Sequence, residues 1–165
     1  MRVYLPSTLT ALRRLLDQGE VGDPPLPGYA VTPALREWYA EGDAEELEYA
    51  ALSLAAGASV RLIDADPDAV RRRVVVVVDV PDDRVLAVPQ VDRAAVKVAD
   101  VVPLALVQAV HVDDPAAVPD VTVAADAVVA ADLGSDDAAF RVEQAQGHEL
   151  QWWATQEIGP LLELG

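Results

Sequence analysis

Two histidines stand beside carboxylates in this chain, and their side chains have the widest chemical reach. His111 and Asp113 lie two positions apart in Val110-His111-Val112-Asp113. On a strand that spacing puts both on one face, where an imidazole and a carboxylate could share a proton or hold a metal. The competing reading is an exposed strand face ending in the turn Asp113-Asp114-Pro115, because no third ligand is in sight. The other pair is His148-Glu149. Position 152 is Trp, so no second histidine follows four residues on, and the zinc-protease helix pattern is absent.

Other chemistries find less support. The chain has no Cys, which removes thiolate nucleophiles, thiolate metal ligands and disulfides. No Ser sits in a Gly-x-Ser-x-Gly elbow, and Ser7 is better placed as a helix cap. Neither Gly-x-Gly-x-x-Gly nor the P-loop pattern occurs. Asp64-Ala65-Asp66-Pro67-Asp68 begins like a calcium loop, but Ala69 stands where the turn glycine belongs and Val75 where a closing glutamate belongs. The expectation is therefore no metal and no cofactor. Arg71-Arg72-Arg73 is the only basic cluster, and in so acidic a chain it is expected to pair with neighbouring carboxylates.

The aromatic residues raise a different possibility. Adjacent strand residues point to opposite faces, so Trp152 and Trp153 diverge. Leu150, Trp152 and Ala154 form an apolar set expected to meet the core. Glu149, Gln151 and Trp153 form a mostly polar set expected to face outward. Trp38 and Tyr39 also diverge, by about 100° on a helix. Trp38, Tyr39 and Trp153 are therefore candidates for an interaction patch. Against this, a core with one Phe has reason to use every aromatic for packing.

Composition bounds the partners. The 165 residues carry 28 acids against 12 bases, a formal net charge of −16. Such a balance excludes a phosphate-neutralising nucleic-acid surface and attraction to an anionic membrane. It favours solubility and basic partners. Met1 to Ser7 contains no apolar signal core, and no apolar run approaches the length of a bilayer span, so the expected location is the cytoplasm. With 52% apolar residues, dominated by Ala, Val and Leu, one domain over 1–165 is expected.

The elements that must position these residues follow from caps and periodicity. Val3 to Leu5 reads as a strand stopped by Pro6. A helix then carries Leu9, Leu12, Leu15 and Leu16 to a stop at Gly19. Thr32-Pro33 starts a second helix. Asp43 and Glu46 form a capping box for a long helix to about Asp64, with Leu47, Ala50, Ala51, Leu54, Ala58 and Leu62 on one face. Val74 to Val78 is apolar on both faces and predicts a central strand. Strands over 95–99 and 107–112, joined through a turn at Pro103, a helix over 118–131, a helical segment to Gln144, a strand over 149–153 and a broken helical tail complete the chain. The fold class is α+β: a mixed sheet with helices packed mainly on one face. Val3–Leu16 and Val110–Val129 hint at split βαβ (ferredoxin-like) units.

Several segments carry a family resemblance: Arg2-Val3-Tyr4-Leu5-Pro6-Ser7-Thr8-Leu9, Ala30-Val31-Thr32-Pro33-Ala34-Leu35-Arg36-Glu37, Glu45 to Ala51, Val110 to Asp113, and His148-Glu149-Leu150-Gln151-Trp152-Trp153-Ala154-Thr155-Gln156-Glu157. Together they resemble a family of uncharacterised proteins, a domain of unknown function, from high-GC actinobacteria. The resemblance spans nearly the whole chain and implies no activity, cofactor or catalytic residue. The functional expectation is a non-catalytic binding or regulatory module, acting through an unknown protein partner or self-association. The alternative is an enzyme using His111/Asp113 or His148/Glu149. A more distant one is an acidic mimic of nucleic acid.

Overall fold

The computed structural model describes residues 1–164. In chain order the elements are β1 (Arg2–Ser7), α1 (Leu9–Gln18), β2 (Glu20–Val21), β3 (Leu26–Tyr29), α2 (Pro33–Trp38), α3 (Ala44–Ala65), β4 (Val74–Asp79), β5 (Val85–Ala87), β6 (Ala95–Val98), β7 (Val102–Pro103), β8 (Val107–Asp113), α4 (Val118–Asp132), α5 (Asp136–Gln146), β9 (Leu150–Ala154) and α6 (Ile158–Leu164). Seven strands form one sheet in the order β5-β6-β3-β1-β4-β8-β9, while β2 and β7 pair separately.

The α+β class holds, with two revisions. Every strand pair in the described residues is antiparallel, so the sheet is not mixed. Helices also cover both faces rather than mainly one. Val74, Val76, Val78, Val110 and Val112 pack on Leu9, Leu12 and Leu15 of α1 and on Ile158, Leu161 and Leu162 of α6. On the opposite face Tyr4, Val75 and Val77 meet Ala51, Ala55 and Ala56 of α3. Beyond α3, the α4–α5 hairpin buries Val121, Ala125 and Val128 against Val60 and Ile63.

A split βαβ unit is present, though not where the sequence hinted. β3 and β4 both run antiparallel to β1, which lies between them, so they are parallel to each other with α2 and α3 as the crossover. Segments 95–99 and 107–112 are strands, but they sit in opposite halves of the sheet, with Pro103 in β7 rather than in a turn joining them.

Local chemistry explains most boundaries. Thr8 rather than Ser7 caps α1, its hydroxyl accepting from the Ala11 amide at 3.1 Å, and Gly19 ends the helix at φ +75°. Thr32 and Asp43 cap α2 and α3 as expected. The buried face of α3 is rotated from the expected one: Ala55, Ala56, Ser59, Val60 and Ile63 are buried while Leu62 is exposed, because this helix serves both the sheet and α4. The Ser59 hydroxyl donates to the Ser7 carbonyl at 2.7 Å and accepts from the Val74 amide at 3.1 Å, which ties the ends of β1 and β4 to the helix.

β4 is central, as its five valines required. Pro6 does not stop β1, which pairs with β4 through Ser7. Its missing donor falls on the β3 side, where the pairing consists of Tyr4 opposite Tyr29 and where a continued register would set Pro6 against Pro27.

Candidate functional site

The four titratable candidates fall into three environments. Asp113, at the end of β8, is fully buried. Its Oδ2 accepts from the Arg73 backbone amide and from Arg73 Nε, and its Oδ1 accepts from Arg73 Nη2, each at 2.8 Å. Arg72 Nε donates to the Asp113 carbonyl at 2.9 Å, and Arg73 Nη2 also reaches the His148 carbonyl at 2.9 Å. The arginine cluster thus pairs with a carboxylate, as its composition suggested. It makes a bidentate clamp joining the start of β4, the end of β8 and the approach to β9. A carboxylate so engaged holds structure together.

His111 shares a sheet face with Asp113 but not its environment. It lies opposite Val75 on β4 and Trp152 on β9, on the α3 side. Burial pushes its imidazole below the usual range, which favours the neutral ring. His148 is half-exposed and sets Nε2 against Asp120 Oδ2 at 2.7 Å. Glu149 Oε1 accepts from the Tyr49 hydroxyl at 2.8 Å, and this bond raises the Tyr49 phenol above its usual range. No group of three or more His, Asp or Glu able to hold a metal ion occurs among the described residues. Asp66, in the calcium-like run, caps α3, and its Oδ1 accepts from the Asp68 amide at 3.0 Å. Arg71 Nη1 covers the helix end through the Ile63 carbonyl at 2.8 Å.

The tryptophans reverse the expected order. Trp152 is 61% exposed, whereas Trp153 is half-buried against the core under α1 and α6. Alternation along β9 is as expected, but the covered ring is Trp153 and not Trp152. Trp153 lies opposite Val110 on the face that α6 closes. Leu150 and Trp152 share the α3 face. Leu150 reaches the α3 core, while Trp152 stands across an open groove from the first turns of that helix. The Trp153 indole N–H is buried without an acceptor. Trp38 is also exposed, with the Arg93 guanidinium 3.6 Å from its ring centroid, and Tyr39 is exposed beside it.

The groove at Trp152 has a volume of about 460 Å³ and is lined by Tyr4, Glu45, Glu48, Tyr49, Leu52 and His111, with Arg2 at one side. Arg2 pairs with Glu48 at 3.5 Å. Beyond Tyr49 lies a second cavity of about 260 Å³ holding Ser53, Arg73, His148, Glu149 and Leu150. Both cavities border Tyr49 and Leu52, and the Tyr49–Glu149 hydrogen bond runs from α3 to the start of β9. Trp152 and His111 share the first cavity, His148 and Glu149 the second, and Asp113 is sealed behind Arg73. Trp38 and Tyr39 lie at the end of α2, where Tyr39 borders a third cavity with Arg36 and Leu47. Sequence reasoning missed Tyr4, Tyr49 and Leu52. Tyr49, the sixth residue of α3 and its only aromatic side chain, was the available signal.

The fold and the groove define an antiparallel α+β domain with one split βαβ unit and a sheet edge lined by aromatic side chains. Residues 1–162 match the family of unknown function DUF6912, and the chain belongs to that family. No curated protein and no solved structure matches it. No helix among the described residues is long and apolar enough to cross a membrane.

Proposed function

We propose that this domain is a non-catalytic module that binds a protein segment at the groove between α3 and β9. The observation that carries the reading is Trp152: a large indole held in solvent on an edge strand, beside a concavity lined by Tyr4, Tyr49 and Leu52. Exposing such a ring has a solvation cost that packing elsewhere would avoid, and exposed Trp and Tyr are the side chains that dominate interface energetics. The acidic surface adds a preference for basic partners. A cytoplasmic location and a high-GC actinobacterial source fit the same picture, the latter through eleven Arg to one Lys and no Asn.

The test is panning a displayed library of short random peptides against the full chain. Selected peptides should protect the amides of 150–154 from hydrogen exchange. They should bind Trp152→Ala at least about tenfold more weakly and Trp38→Ala normally. Selected peptides that are indifferent to Trp152, or a library that yields no binder, would overturn the reading.

A second reading rests on the His148–Asp120 pair at 2.7 Å beside Ser53, Tyr49 and Glu149. A carboxylate-oriented imidazole can act as a general base. Turnover of an ester or amide substrate abolished by His148→Gln, with folding retained, would establish it.

A further inference from the structure

We infer that the outer edge of β9 takes an extended, basic segment of a partner protein as an added strand, with an apolar side chain of that segment seated against Trp152. This rests on the binding-module reading above and specifies its partner.

The backbone supplies the first argument. In an antiparallel ladder, alternate residues point both their N–H and C=O away from the neighbouring strand. The Ala154 amide donates to the Glu157 carboxylate at 2.9 Å, so at Ala154 these groups point outward. The β8 side agrees independently: the Asp113 amide donates to the Arg73 carbonyl on the β4 side, so Asp113 and its partner Leu150 are not hydrogen-bonded to each other. By the same two-residue period Leu150 and Trp152 also direct their groups outward. Among the described residues nothing takes those of Trp152. Glu157 closes one end of the edge, which leaves Leu150 and Trp152 as the open register for an incoming strand. The opposite edge, β5, is three residues long and lies on a segment where Arg84 is held by Asp100 at 2.6 Å, so it offers a shorter template.

Charge supplies the second argument. Side chains of an added strand that lie level with Trp152 project onto the α3 face. There the groove presents Glu45 and Glu48, with Glu149 beyond, against the single guanidinium of Arg2. Glu157 and Asp114 flank the edge itself. A second copy of the chain would bring these carboxylates against their own images, so an Arg- or Lys-bearing segment is the complementary occupant.

The probe is a short synthetic peptide of repeating Arg-Thr-Val-Thr, in which Val and Arg share one strand face, tested against the full chain. Replacing Arg by Glu reverses its charge, and a version N-methylated at every second amide keeps the charge but removes edge donors. The Val/Arg peptide should protect the Trp152 amide from exchange. The N-methylated and charge-reversed peptides should each bind at least about tenfold more weakly. Equal binding of the N-methylated peptide would reduce the contact to non-specific attraction and overturn strand addition. Equal binding of the Val/Glu peptide would overturn the basic partner while leaving the module reading intact. Concentration-dependent protection of the β9 amides with no peptide, accompanied by a dimeric mass in sedimentation, would overturn it in favour of self-pairing. The module reading itself falls if library-selected peptides are indifferent to Trp152 or leave 150–154 unprotected, or if the library yields no binder; failure of the Val/Arg peptide alone does not touch it.

Discussion

Replacing Asp113 by Ala removes the acceptor for three hydrogen bonds at once and leaves the Arg73 guanidinium, 3% exposed, without its counter-charge. Breaking a buried pair by deleting one partner costs about 3–5 kcal/mol, because the survivor keeps its desolvation penalty and loses its compensation. The lower bound applies if water reaches Arg73 through the cavity it shares with His148 and Glu149. The upper bound applies if it stays dry. For a domain of this size each kcal/mol lowers the melting temperature by about 2–4 °C, so Asp113→Ala should melt about 6–20 °C below the parent. Urea midpoints at constant slope would measure the same loss. The double variant Asp113→Leu with Arg73→Met should recover most of it, since an apolar pair of similar volume carries no desolvation penalty. A loss below about 1 kcal/mol for Asp113→Ala, within the range of an exposed ion pair, would refute the clamp and return Asp113 to the residues available for chemistry.

Three further outcomes follow from the packing. Trp153→Ala should cost about 2–3 kcal/mol and Trp152→Ala no more than about 0.5, by denaturant midpoint. Trp153→Phe should be milder than Trp153→Ala, because the N–H it removes has no acceptor. His111 is favoured neutral in the folded chain, so the unfolded chain binds its proton first as pH falls through the usual imidazole value of 6.5. Stability should therefore be fully present above that value and decline below it. His111→Gln should flatten this part of a melting-temperature–pH profile, and an unchanged slope would contradict the assignment. Gly28→Ala should cost about 1–3 kcal/mol by thermal melt, because its Cβ would lie 2.8 Å from Val3 Cγ1, 3.0 Å from Leu5 Cδ2 and 3.1 Å from the Tyr4 carbonyl oxygen.

What could be read ahead of the structure divides along physical lines. Asp43 with the apolar run behind it, and the five valines of β4, were legible because cap chemistry and two-sided burial are written locally. The Trp152/Trp153 assignment failed although the alternation itself was right. Periodicity says which residues share a face, but not which helix reaches that face at a given point. Both faces of this sheet carry helices, and at the β9 edge it is α6 that stays close while α3 draws away. A local signal did exist. Ile158, Leu161 and Leu162 follow Trp153 within a few residues, and so short a tether makes the tail fold back on the strand it leaves. The apolar tail, not the polarity of Glu149 and Gln151, decided which ring is covered. The Arg73–Asp113 clamp was legible only in kind. Composition required the arginines to find carboxylates, but choosing Asp113 among 28 acids depends on the β4–β8 register, which places the two ends side by side. The β8–β9 register sets His111 opposite Trp152, in the groove, while Asp113 is held by Arg73. A pair that looked chemical in sequence thus became one structural carboxylate and one imidazole in the wall of a groove.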